Sequence, residues 1–143
     1  MPRYLDDPMG YARGFVDAYN SGSPNILPFY AREIDWREWP SGRRGDRATY
    51  EAALHSIEEI LCETYITGIT DFRVSQGLGA LETTFQARVM AKPEDAPLLR
   101  ALQVWIWQFD DDGMVTAQSD YFLPLNSDKP GLTHLSLGIG AGP

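Results

Sequence analysis

The chain has 143 residues, 43% apolar and 22% charged, which suits one domain with a buried core. Its net charge of −8 argues against a nucleic-acid partner, whose phosphates it would repel, and no apolar run approaches the ~20 residues that span a bilayer. Four Trp, seven Tyr and six Phe are many for this length and suit a pocket lining, a core or a dimer face.

Helices come first. In "DPMGYARGFVDAYNSG" the residues Tyr11, Phe15, Ala18 and Tyr19 recur at helical spacing, and Asn20-Ser21-Gly22 ends the run. "SPNILPFYARE" reads as a short second helix, with Ser23 as its cap and Pro24 in its first turn. "EIDWREWPSG" alternates as a strand: Ile34, Trp36 and Glu38 share one face, and Asp35, Arg37 and Trp39 the other. "SGRRGDRAT" is a loop in which Asp46 is placed to cap the next helix. That helix, within "RATYEAALHSIEEILCETY", carries a stripe of Tyr50, Ala53, Leu54, Ile57, Ile60 and Leu61.

From Ile66 the period changes to two. "ITGITDFRV" is a strand, and "ALETTFQARVM" alternates with Leu81, Thr83, Phe85, Ala87 and Val89 on one face. "AKPEDAPLL" is a connection, "RALQVWIWQF" a central strand apolar on both faces, "DDDG" a tight turn and "MVTAQSDYF" the partner strand. Residues 124–143 have Pro, Gly and Ser but little pattern, and read as a tail or a flap over the pocket mouth. Helices followed by antiparallel strands predict an α+β fold in a single domain over residues 1–143. Trp105 and Trp107 share one face of the central strand, and Leu102, Val104 and Ile106 the other. We assign the tryptophan face to a second copy of the chain, which predicts a homodimer.

The remaining features are limiting. Cys62 alone allows no internal disulfide, and with no apolar leader at the N-terminus it points to the cytoplasm. His55 and His134 lie far apart, no metal-ligand cluster is visible, and no nucleotide or flavin signature occurs, so no cofactor is expected. The chemistry must then be of a kind that side chains perform unaided. Glu38 is the first candidate, because a strand that buries Ile34 and Trp36 takes its carboxyl inward as well; a rim carboxylate paired with Arg37, Arg43 or Arg47 is the alternative. Burial raises a carboxyl pKa towards neutrality, where it serves as a general base.

The order of elements, with "FVDAYNSGS", "FYAREIDWREWPSG" and "FDDDGMVTAQSDYF" at their spacing, resembles the nuclear transport factor 2-like superfamily over residues 9–123. Within it the chain is most similar to SnoaL-like polyketide cyclases, ketosteroid isomerases and limonene epoxide hydrolases. The resemblance implies a cone, with a strongly curved, mostly antiparallel sheet wrapped around the helices to leave a deep apolar pocket. The isomerase pattern sets its base eight residues after an aromatic-Ala pair, and Tyr30-Ala31 here precedes Glu38 at that spacing. Its two oxyanion donors fall on Phe15 and Leu102, which carry no donor. The epoxide-hydrolase pattern matches Asp120-Tyr121-Phe122 on the closing strand and sets Trp36 and Glu38 at its water-holding positions, but its Arg-x-Asp pair has no counterpart in "LETTFQARV".

Glu38 and Asp120 are thus the catalytic candidates, as base and acid. Phe15, Tyr19, Tyr30, Trp36, Phe85, Leu102, Val104, Ile106, Gln118 and Phe122 are the expected substrate contacts. The expected function is a cofactor-independent lyase or isomerase acting on a hydrophobic, aromatic or polycyclic small molecule. A non-catalytic ligand-binding or dimerisation module is the alternative, and an epoxide hydrolase a third.

Overall fold

The structure is a computed structural model and describes residues 3–89 and 98–125. Helix α1, Pro8–Asn20, opens on Asp7, whose Oδ1 accepts from the Gly10 amide at 3.0 Å, with Pro8 in the first turn. It buries Tyr11, Ala12, Phe15, Val16 and Tyr19. A 3₁₀ helix over Ser23–Phe29 follows. The chain is already extended at Tyr30, three residues before the expected helix end at Glu33. Pro28, inside this helix, has no amide to donate and so removes a hydrogen bond that a longer helix would need.

Strand β1, Tyr30–Trp39, alternates as its sequence predicts: Ile34, Trp36 and Glu38 are buried, while Asp35, Arg37 and Trp39 are exposed. The arginine-rich loop contributes a two-residue strand, β2 (Arg44–Gly45), antiparallel to β1. Asp46 caps helix α2, Arg47–Ile60, by accepting from the Thr49 amide at 3.0 Å. The helix ends before Leu61, so "LCETY" belongs to strand β3, Leu61–Ser75, rather than to the helix. Ladder pairing with the next strand, Leu61 opposite Val89 and Cys62 opposite Arg88, wins over helical periodicity there. Glu63 takes a positive φ of 53° where the register shifts.

Strands β4 (Leu78–Val89), β5 (Leu99–Phe109) and β6 (Val115–Pro124) complete a curved sheet in the order β2-β1-β6-β5-β4-β3. The β1–β6 pair is parallel, and the others are antiparallel. The turn between β5 and β6 is fixed by Asp110, whose Oδ1 accepts from the amides of Asp112 and Met114, and by Gly113 at φ 80°. This is the α+β architecture that the order of elements predicts.

One face assignment is corrected. Trp105 and Trp107 point inward, at 1% and 0% exposure, and their rings meet Phe15 at centroid distances of 5.0 and 4.8 Å. Leu102, Val104 and Ile106 lie on the outer face, with Ile106 43% exposed. The sheet has one face packed on helices, and the largest rings take it because they bury the most apolar area. Leu123 and Pro124 continue β6, and the Leu125 amide donates to the Arg100 carbonyl at 2.9 Å. The rest of the predicted tail, and most of the 91–99 connection, lie outside the described residues.

Candidate functional site

The register of β1 and β6 sets the site. In this parallel pair Trp36 stands opposite Gln118 and Glu38 opposite Asp120. Neighbouring strands lie ~4.8 Å apart, so the two carboxyls rise side by side from the inner face. Across β6, Trp105 of β5 pairs with Asp120, and Gln103 with Phe122. Helix α2 covers them with Tyr50, Ala53, Leu54 and Ile57, and α1 closes one side with Tyr19. The cavity between them is about 20 Å³, room for one water molecule. A second, more open hollow of about 150 Å³ shares Tyr19 and Ile57 with it and is also lined by Asn20, Glu58 and Cys62. These two side chains therefore stand between the inner cavity and the outer one.

The carboxyls differ in environment. Glu38 Oε1 accepts from the Ser41 hydroxyl at 3.1 Å. Burial raises its pKa from the ordinary value, and the Ser41 hydrogen bond and the positive charge of Arg43 oppose that rise. The Arg43 guanidinium lies 5.6 Å from the centre of the Trp36 ring. Asp120 is 2% exposed, and its Oδ2 accepts from Trp36 Nε1 at 3.0 Å and from Gln118 Nε2 at 2.8 Å. Its Oδ1 is buried with no hydrogen-bond partner among the described residues. Burial first, and the Glu38 charge second, push the Asp120 pKa up to about 8, against the two donors on Oδ2. Both causes favour the protonated form of Asp120.

Beneath the cavity lies a layer of hydrogen-bonded side chains. Gln118 Oε1 accepts from Trp107 Nε1 at 2.8 Å and from the Tyr30 hydroxyl, and Gln118 Nε2 donates to the Tyr50 hydroxyl at 3.0 Å. The hydroxyls of Tyr30 and Tyr50 lie 3.2 Å apart. Burial raises the pKa of both phenols, as it does that of Tyr19, so all three are neutral donors or acceptors.

Of the residues singled out in the sequence, Glu38, Asp120, Tyr19, Trp36 and Phe122 line the cavity. Phe15, Tyr30 and Gln118 are buried behind it, and Phe85 packs beside Phe122 with ring centroids 6.0 Å apart. Leu102, Val104 and Ile106 are excluded from it by their outward orientation. Trp105, Gln103 and the α2 residues were missed as lining. Gln103 takes the inward position beside Leu102 and leaves its Oε1 buried without a partner among the described residues. The inward residues of β4 are Leu81, Thr83, Phe85 and Ala87, none of them acidic; Glu82 lies on the other face and accepts from the Thr70 hydroxyl at 2.7 Å. Among the described residues no acidic, histidine or cysteine cluster forms a metal site. No helix there is long and apolar enough to cross a membrane.

No family model and no curated protein matches the chain. Solved structures do resemble it. AclR from Streptomyces galilaeus, described as a candidate hydroxylase, is 14% identical with a TM-score of 0.70, over 94% of this chain and 86% of AclR. A candidate SnoaL-like polyketide cyclase from Shewanella denitrificans is 16% identical, with a TM-score of 0.65 over 80% and 89% of the two chains. A protein of ketosteroid isomerase-like fold from Catenulispora acidiphila, in complex with trimethylamine, is 12% identical, with a TM-score of 0.62 over 75% and 83%.

Proposed function

From a chain with the nuclear transport factor 2-like fold and two buried carboxyls on paired strand positions, we propose a cofactor-independent lyase or isomerase for a hydrophobic, ring-containing small molecule. The observation that carries this is the division between the carboxyls. Glu38 accepts from Ser41 and feels the Arg43 charge, which oppose the rise from burial and favour its ionised form, whereas burial and the Glu38 charge push Asp120 up to about 8 and favour its protonated form. Glu38 takes a proton from an acidified C–H of the substrate. Asp120 donates a hydrogen bond, or the proton itself, to the oxygen on which charge develops or which departs. Trp36, Trp105, Tyr50, Leu54 and Phe122 supply apolar contact at roughly 25 cal/mol per Å² buried. The inner cavity has room only for a water, so a ring-sized substrate enters by displacing Tyr19, Ile57 or Phe122 and joining the two hollows.

The outer face belongs to the same proposal. Leu78, Ile106, Tyr121 and Leu123 are all more than 40% exposed on neighbouring strands, and a second copy of the chain is the partner we assign to them. The homodimer is kept, but through the face opposite the tryptophans.

A non-catalytic ligand-binding module is the second reading, favoured by the small volume of the cavity. An epoxide hydrolase is disfavoured, because β4 brings no carboxyl to Asp120. The test separating enzyme from binder is proton abstraction from a generic substrate. Deuterium exchange at the α-carbon of 2-tetralone in D2O, followed by proton NMR, reads it directly. The unaltered protein should accelerate exchange, and Glu38→Gln should slow it by at least ~10²-fold, the low end for a positioned base. Equal rates in the two proteins, or no acceleration by either, would count for the binder.

A further inference from the structure

Gln118 has a place in this arrangement that the acid–base assignment alone does not give it. Its amide orientation is fixed by chemistry. The Trp107 indole N–H can only donate, so the Gln118 atom 2.8 Å from it is the carbonyl oxygen. The Nε2 protons must then point the other way, to Asp120 Oδ2 at 2.8 Å and to the Tyr50 hydroxyl at 3.0 Å. The tyrosines follow in turn. Tyr30 donates to Gln118 Oε1, so its oxygen is left to accept from Tyr50, and Tyr50 is left to accept from Gln118. The three side chains close a ring of hydrogen bonds with one direction, buried throughout.

We infer that Gln118 is a positioning residue: locked by Trp107, Tyr30 and Tyr50, it occupies Asp120 Oδ2 together with Trp36, so that the proton of Asp120 must sit on Oδ1. An sp² carboxyl oxygen has two lone pairs, and two N–H donors fill both. Oδ1 is the oxygen that has no partner among the described residues, on a side chain that lines the cavity. A protonated Oδ1 is therefore a donor still available to a substrate. Without Gln118 one lone pair of Oδ2 is open, and the proton can settle on either oxygen.

This rests on the acid role given to Asp120 above, but it is tested without any substrate. The titratable groups facing Asp120 are Glu38 from β1, Tyr19 from α1, Tyr50 from α2, and Tyr30 at the start of β1. The phenols stay neutral over the range of interest, so among the described residues the charge that acts on Asp120 is that of Glu38, itself beside the positive Arg43. Gln118 favours the ionised form of Asp120, as Trp36 does. Gln118→Met keeps the length of the side chain and removes the donor. The ¹³C carboxyl titration of Asp120 in that variant should move upward from about 8 by roughly one unit or more, the size expected on losing a hydrogen bond to a charged acceptor. A residue that only fills space would lower the melting temperature and leave the titration where it was. In the unaltered protein the side-chain amide protons of Gln118 should shift with pH in step with the Asp120 carboxyl carbon, and this reading needs no variant to fold. An unmoved Asp120 titration in Gln118→Met, or amide protons indifferent to pH while Asp120 titrates, would overturn the inference. If Glu38→Gln kept full exchange activity while Gln118→Met moved the titration, the enzyme reading would fall and the positioning role would stand.

Discussion

At the scale of single residues, Asp120 has a cost that can be measured. Its pKa is near 8 in the folded chain and ~3.9 when unfolded, so the folded state keeps a proton that the unfolded state releases. Stability linked to this group is therefore fully present below about pH 4 and is lost as pH rises towards 8, by the order of a few kcal/mol. Asp120→Asn removes the titration and retains an oxygen for the two N–H donors. Its melting temperature relative to the unaltered protein should climb between pH 5 and pH 8. A difference that stays constant over that range would mean that Asp120 titrates normally. The gain in stability should come with a loss of function, the usual relation at sites that bury a titratable group at a cost in stability.

At the scale of elements, the strand readings succeeded where a single face was at stake. The alternation in "EIDWREW" placed Ile34, Trp36 and Glu38 inward without any knowledge of their partners. β5 failed because both of its faces are apolar, and periodicity cannot say which is inside. The turn does not decide it either: counting back from the Phe109–Val115 pair would set Trp105 opposite Ser119, and a register shift at Gln108/Phe109, with no local sequence signature, brings it opposite Asp120 and so onto the same face. The end of α2 was hidden for another reason: Leu61 fits both the helical stripe and the strand, and only the pairing with Val89 decides. The corrected face carries its own prediction. If a dimer forms through the outer sides of β4, β5 and β6, Ile106→Asp puts an unpaired carboxylate in the interface and should give a monomer by light scattering, with secondary structure unchanged. A unaltered protein that is already monomeric at micromolar concentration would remove the dimer from the proposal.

At the scale of the whole molecule, the fold was legible because each level agrees: capped amphipathic helices, then alternating strands, then a turn of the right chemistry. The site was legible in part. Two carboxyls could be named from their positions, but the hydrogen-bonded layer of Tyr30, Tyr50, Gln118 and Trp107 joins residues far apart in sequence and has no local signature. Structural likeness at 12–16% identity shows the fold and leaves the chemistry to these side chains. We propose that Glu38 and Asp120 hold opposite protonation states at neutral pH. The measurement closest to it is the ¹³C carboxyl titration of both residues, in the unaltered protein and in Glu38→Gln. Asp120 should titrate near pH 8 and Glu38 below it, and removing the Glu38 charge should lower the Asp120 value. An Asp120 that titrates near pH 4, unmoved by Glu38→Gln, would contradict the account.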